Sequence, residues 1–315
     1  MPPGKTLVTG CAGLIGHDLV PELIRIHGAE NVIASDLRQP SGFGCEMAAL
    51  DVTDAAALKK LVSDHNVTTI HHLAGLLSAG SEANPALGWK VNFEGLRTVL
   101  EAARESNLRV FWPSSIAAFG ETTPKHDVPQ RTVLEPSTIY GVAKVSGELM
   151  CQYYFQKYGV DVRSLRYPGI LGWKGEPGDG TTEYAIHIFY AALRDGAYEC
   201  FLGPDARLPM MFIDDTIRGT IELMDADPDR LTVRTSYNFT AASFTPAEIA
   251  AEIAKRMDFK ITYNPDPVKQ EIAESWPQTI DDSDAQHDWD WKPQFGLPEI
   301  VDTMLAKVGE KLSAD

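Results

Sequence analysis

Along the first half of the chain, short apolar runs alternate with longer stretches in which apolar residues recur every three or four positions. The runs at 6–9, 31–35, 69–73, 109–112 and 162–166 have the length of buried strands, and 46–50 leads into Asp51-Val52 as one more strand end. Helical periodicity separates them. Leu14, Ile15, Leu19, Leu23 and Ile26 fall on one side of a first helix; 54–65 carries a second, 89–105 a third with Val91, Leu96, Val99, Leu100 and Ala103 inward, and 139–158 a fourth. This alternation predicts an α/β chain built on a doubly wound parallel sheet, with right-handed crossovers and ligands at the C-terminal ends of the strands.

Beyond Tyr167-Pro168-Gly169 the alternation loosens. The segment 172–182 holds four glycines and a proline and reads as a mobile loop over a cleft. A smaller α/β lobe follows, with strands expected at 199–202 and 210–213 and helices at 215–224, 246–257 and 298–311. The expected division is 1–170 and 171–315, with later segments free to cross back to the large sheet.

Charge narrows the function. Against 28 Lys and Arg stand 44 Asp and Glu, a formal charge of −16 that repels nucleic acid and anionic membranes. Cys11, Cys45, Cys151 and Cys200 lie far apart, without metal-ligand or redox spacing, so reduced, packed thiols and no metal are expected. With a strand opening by residue 6 and no apolar run long enough for a bilayer, the expectation is a cytoplasmic protein; a processed organellar one would read the same.

Gly10, Gly13 and Gly16 follow the first strand at three-residue intervals, where the first helix begins. Without Cβ atoms there, a pyrophosphate can approach the backbone, and unpaired N–H groups at the positive end of the helix dipole point at it. Helix capping and close helix–strand packing would also use such glycines. Asp36 adds an independent signal: it ends the second strand about twenty residues on, where an acid accepts from the adenine ribose hydroxyls. Together they predict a Rossmann-like dinucleotide domain over 1–170. Asp51 stands where it could accept from an adenine amino group, while Thr53 or Asp54 could cap the next helix. Leu73 is followed by Ala74 and Gly75, small enough to let backbone approach a cofactor.

Tyr140 and Lys144, one helical turn apart, share a face. A free phenol titrates near roughly pH 10, and an adjacent ammonium favours its ionised form, so the pair reads as a general base with its activator. Ser114, at the end of the preceding strand, is placed to hydrogen-bond the oxygen that changes between alcohol and carbonyl. Taken singly, these residues also fit an exposed helix pair and a turn.

The Thr9-Gly10-x-x-Gly13-x-x-Gly16 turn, Asp51-Val52, Ser114 and Tyr140-x-x-x-Lys144 resemble the extended short-chain dehydrogenase/reductases across the whole chain. That resemblance implies catalysis by Ser114, Tyr140 and Lys144. It also implies NAD held by Gly10, Gly13, Leu14, Ile15, Gly16, Asp36, Leu37, Arg38, Asp51, Val52, Leu73, Ala74, Gly75, Asn92, Tyr140, Lys144, Tyr167, Pro168 and Ile170. Asn92 matches the family's helical Asn, and a surface position would suit it equally.

Longer stretches resemble the short-chain type of L-threonine 3-dehydrogenases: Leu76-Leu77-Ser78-Ala79, Gly180-Thr181-Thr182-Glu183-Tyr184-Ala185, Leu208-Pro209-Met210-Met211 and Ala273-Glu274-Ser275-Trp276-Pro277. They imply oxidation of the L-threonine β-hydroxyl to 2-amino-3-oxobutanoate, with Ser78, Ser114, Tyr140, Thr181, Thr182 and Trp276 binding the substrate. A homodimer joined through 88–105 and 139–157 is also implied. Glu183 departs from the pattern, which has Asp after the two threonines, so the seat of the substrate amino group is open. The rivals are a nucleotide-sugar epimerase or dehydratase of the same superfamily, whose substrate lobe would carry basic residues, and a non-catalytic NAD-sensing protein, which would not need the Tyr–Lys pair. The glycine-rich loop with Trp276 is expected to close over the substrate as a lid.

Overall fold

A computed structural model describes residues 4–39, 41–175 and 177–314. Pro40 and Glu176, inside the loops expected at 37–45 and 172–182, lie outside the described residues. The first part of the chain runs β1 (Lys5–Thr9), α1 (Leu14–His27), β2 (Val32–Asp36), β3 (Glu46–Ala49), α2 (Ala55–Asp64), β4 (Val67–His72), α3 (Ser78–Ala83), α4 (Pro85–Trp89), α5 (Gly95–Ser106), β5 (Arg109–Ser115), α6 (Ile139–Tyr158) and β6 (Val162–Tyr167). It continues through β7 (Gly169–Leu171), α7 (Tyr184–Asp195), β8 (Ala197–Cys200), β9 (Leu208–Phe212), α8 (Ile213–Asp225), β10 (Tyr237–Asn238), β11 (Ala242–Phe244), α9 (Pro246–Ala254), β12 (Lys260–Tyr263), α10 (Pro267–Ser275), α11 (Ser283–Trp289) and α12 (Leu297–Ala314).

The main sheet has the order β10-β6-β5-β4-β1-β2-β3, and its pairings are parallel. Side-chain alternation gives each strand two faces. Leu7 and Ile33 pack with Leu58, Val62, Leu96 and Val99 of α2 and α5, whereas their neighbours Val8, Val32 and Ala34 pack with Leu19 and Val20 of α1 and with α7 and α8. A mixed β11-β9-β7 sheet and a parallel β12-β8 pair complete the rest of the chain.

Local signals set most boundaries. Asp54 caps α2 by accepting from Ala56 and Ala57, both at 3.0 Å, which settles the open choice with Thr53. Thr138 caps α6 through the Gly141 N–H, and Gly159 ends it at φ 72°. The helix expected over 89–105 is divided: a π-turn at Lys90–Glu94 separates α4 from α5. Ile26, read as inward, lies 40% exposed because the stripe drifts outward by the last turn of α1.

The later segments depart more. The strand expected at 199–202 is β8, two residues earlier, and β7, α7, β10, β11, β12, α10 and α11 fall outside the expected elements. β10 returns to the main sheet beside β6, pairing Tyr237 with Leu165 and Asn238 with Arg166. One apolar core runs from β1 and α1 into α7, α9 and α12, across residue 170. No helix among the described residues is long and apolar enough to cross a membrane.

Candidate active site

Parallel strands expose their C-terminal ends along one edge, and there the turns after β1, β4, β5 and β6 enclose a cavity of about 440 Å³. Gly10, Gly13, Leu14, Ile15 and Gly16 form one end, Leu73, Ala74, Gly75 and Asn92 one wall, and Ser114, Tyr140, Lys144, Tyr167, Pro168 and Ile170 the floor. Ser78, Thr181, Thr182 and Trp276 close the far end.

The glycine turn has the properties a pyrophosphate needs. Gly10 sits at φ +71°, and a Cβ there would lie 2.5 Å from the Ala74 nitrogen; at Gly16 one would lie 2.4 Å from the Cys11 carbonyl oxygen. Gly13 caps α1 with no side-chain hydrogen bond, which leaves the first N–H groups of the helix free for an anion. At the end of β2, Asp36 accepts from the Ala12 N–H at 3.1 Å and the Leu37 N–H at 2.7 Å, fixing its carboxylate beside that turn.

Of the expected cofactor residues, Asp36, Leu37, Arg38, Asp51 and Val52 are not among those that line this cavity. Asp51 accepts from the Thr53 N–H at 2.9 Å and hydroxyl at 2.8 Å, which hold its carboxyl below the ordinary range. Val52 is a buried core residue against Gly95. Asn92 is buried rather than on the surface: it accepts from the Leu76 N–H at 2.8 Å and donates to the Leu76 carbonyl at 3.0 Å and Ser81 at 3.2 Å. It braces the turn that carries Gly75 and Ser78.

The two adjacent serines are held differently. Ser114 lines the cavity, but its hydroxyl donates to Glu148 at 2.7 Å, with the residue 2% exposed. The neighbouring Ser115 also lines the cavity, and its hydroxyl lies near enough to the Tyr140 phenol to favour the ionised form. Successive side chains of a strand point to opposite sides, so only one of two adjacent serines can meet Tyr140. Register makes the choice: Ser114 lies beside Arg166 of β6, and both reach Glu148.

Burial acts on both members of the Tyr–Lys pair. Burial pushes the Tyr140 phenol up to about 12, and the Ser115 hydroxyl pulls it part of the way back. Burial pushes Lys144 down to about 7, opposed by the Glu148 carboxylate. Lys144 donates to the Pro113 carbonyl at 2.6 Å and lies 5.3 Å from the centre of the Tyr140 ring. Desolvation is thus the largest influence on the phenol, and it works against ionisation.

Glu183 supplies the one carboxylate among the described residues of the cavity wall. It accepts from the Gly178 N–H at 3.1 Å, and burial raises its carboxyl above the usual range. His72, Leu76, Leu77, Trp112, Pro113, Ser115 and Gly180 line the cavity beyond the expected site residues, and Glu183, whose carboxylate bore on the seat of the substrate amino group, lines it too. Adjacency to Ser114 was the available signal for Ser115.

The loop between β7 and α7 is tied at several points. Lys174 pairs with Asp18 of α1, Asp179 pairs with Lys269 of α10, and Lys311 donates to the Lys174 carbonyl at 3.3 Å. Gly172, Gly175, Gly178 and Gly180 all keep negative φ, so this conformation does not call on glycine's extra freedom.

The sequence profile of the NAD dependent epimerase/dehydratase family matches residues 6–238. The mitochondrial L-threonine 3-dehydrogenase of Bos taurus is 47% identical over 305 residues, covering 96% of this chain and 82% of that protein. Among solved structures, the holo form of a GalE-like L-threonine dehydrogenase from Cupriavidus necator is 49% identical, with a TM-score of 0.94 over 96% of this chain and 99% of that one. A monomeric L-threonine 3-dehydrogenase from a metagenome, in its apo form, is 42% identical, with a TM-score of 0.94 over 98% of this chain and 99% of that one.

Proposed function

The chain belongs to the NAD-dependent epimerase/dehydratase family, and from that premise we propose that it oxidises L-threonine at the β-hydroxyl to 2-amino-3-oxobutanoate. The observation that carries this reading is the charge of the cavity. Among its described lining residues Lys144 is the one Lys or Arg, and it lies on the floor with its ammonium on Pro113. A nucleotide-sugar substrate would bring a diphosphate to a wall with no free cation to receive it. A small zwitterion matches what is there: hydroxyls of Ser78, Thr181 and Thr182 for the carboxylate, Glu183 for the ammonium, and the Trp276 indole as an apolar wall.

NAD supplies the hydride acceptor when bound; the glycine turn would hold its pyrophosphate and Asp36 its adenine ribose. Tyr140, in its ionised form, takes the proton of the β-hydroxyl as general base, Lys144 stabilises the phenolate before that transfer, and Ser115 donates to the substrate oxygen as it becomes a carbonyl. Ser114, whose hydroxyl donates to Glu148, is assigned the lesser part in holding the substrate oxygen.

NADH absorbance with L-threonine, L-serine, other β-hydroxy amino acids and nucleotide sugars tests the reading. Net NADH with L-threonine is expected. Interconversion of a nucleotide sugar without net NADH would establish the epimerase alternative, and NAD binding without turnover of any compound would leave a sensing role.

A homodimer fits the exposed apolar stripe of α6, where Val142, Leu149 and Tyr153 are 39%, 60% and 49% exposed, with Leu87 of α4 nearby in sequence to the same expected interface. Light scattering in solution decides this, with two chains per particle expected and one refuting it.

A further inference from the structure

A buried ion pair lies directly behind the floor of the cavity. Arg166 of β6 grips Glu148 of α6 with two bonds, Nε to Oε1 at 2.9 Å and Nη2 to Oε2 at 2.7 Å, and the two side chains are 3% and 1% exposed. Ser114 donates to the same Oε1 at 2.7 Å. The remaining Arg166 nitrogen donates to Asn238 at 2.9 Å and to the Gln130 carbonyl at 3.1 Å, so the guanidinium is held from the far side as well. As a source of stability such a pair is weak, because desolvating two charges offsets most of their attraction.

Its position suggests a different use. Tyr140, Lys144 and Glu148 follow one another at single-turn spacing along α6 and so share a face. Lys144 is 8% exposed, and its hydrogen-bond partner, the Pro113 carbonyl, carries no charge. We propose that Glu148 is a positioning residue for the dehydrogenase reaction: its carboxylate, fixed by Ser114 and Arg166, is the counter-charge that keeps Lys144 an ammonium beneath the Tyr140 ring. This rests on the function proposed above.

The groups around Lys144 leave this task to Glu148. Its own helix presents Tyr140, Glu148 and Cys151; β5 presents Trp112, Pro113, Ser114 and Ser115; β4 presents His72; and Arg166 of β6 stands behind Glu148. Burial holds His72 neutral, down at about 3, and pushes the Cys151 thiol far above its ordinary range. One turn along α6, Glu148 thus carries the negative charge that opposes the desolvation of Lys144.

The active form needs Tyr140 ionised and Lys144 charged, two conditions that pH moves in opposite directions. At saturating NAD, log kcat/KM for L-threonine rises with unit slope while Lys144 is charged. It levels where Lys144 begins to lose its proton, since each further gain in phenolate is matched by a loss of ammonium. Glu148→Gln moves that break to lower pH by about one unit and lowers the plateau about tenfold, while NAD affinity stays within about twofold.

The single variant strands the Arg166 charge, so Glu148→Gln/Arg166→Met is made alongside it. The double variant recovers the melting temperature lost by the single one yet keeps the acid-shifted break. An unmoved break in Glu148→Gln overturns the proposal. So does a profile that returns to wild type in the double variant together with the melting temperature, which would make the pair purely structural. If Glu148→Gln does not fold, the double variant alone decides by the same break. A wild-type protein that forms no NADH from L-threonine refutes the functional reading instead, before any variant is compared.

Discussion

Two adjacent serines give the sharpest test of the site geometry. Ser115→Ala removes the hydroxyl beside Tyr140, the donor assigned to the developing carbonyl oxygen. Losing one such donor costs about 3–4 kcal/mol of transition-state stabilisation, a fall in kcat of roughly 100- to 1,000-fold. Ser114→Ala removes a donor to Glu148, whose carboxylate keeps both Arg166 bonds. Its loss of a charge-assisted bond is worth about 1.5–3 kcal/mol of folding stability.

Melting temperatures alone would not separate the two, because Ser115 also caps the following turn by accepting from the Ala117 N–H at 3.1 Å, worth about 1 kcal/mol. Turnover does separate them. Steady-state NADH formation at saturating NAD and L-threonine is expected to fall less than about tenfold in Ser114→Ala and at least about a hundredfold in Ser115→Ala. Equal losses, or a larger loss in Ser114→Ala, would refute the assignment made from strand register.

Three further outcomes follow from the same site. Tyr140→Phe is expected to lower kcat by roughly 100- to 10,000-fold with NAD binding retained; since burial raises the phenol to about 12, the wild-type kcat/KM should climb with pH on its acid side, and near-normal turnover in the variant would remove Tyr140 from the mechanism. Asp36, its carboxylate fixed at the end of β2, would repel a 2′-phosphate, so kcat/KM with NAD should exceed that with NADP; Arg38 would offset part of the repulsion, and a preference for NADP would refute the role. Closure of the 177–183 loop with Trp276 is expected on binding a threonine analogue; since the Asp179–Lys269 pair joins that loop to α10, the two should move together. Identical structures with NAD alone and with NAD plus analogue, together with unchanged KM and kcat in Trp276→Ala, would refute the lid.

The features legible in the sequence are those written in local spacing. Three glycines at a strand–helix junction, an acid at the next strand end and a Tyr–Lys pair one turn apart depend on residues close in the chain, where backbone geometry fixes which groups share a face. The alternation of strand and helix likewise gave the wound sheet, because the two periods, near two and near 3.6 residues, are distinguishable without knowing any partner. Prediction weakened in the second half, where short strands such as β10 acquire their identity by pairing with β6 rather than from their own pattern.

Tertiary structure alone decided the chemistry of individual atoms. A serine pair reads identically in both positions until β5 is registered against β6, which sends Ser114 to Glu148 and leaves Ser115 for Tyr140. Whether Lys144 activates Tyr140 or is itself depleted of charge depends on how much water the folded cavity removes and on a carboxylate one turn away, itself held by Arg166. Sequence spacing specifies direction along an element, but desolvation and hydrogen-bond partners depend on which elements are packed together, and that is set only when the whole sheet has closed.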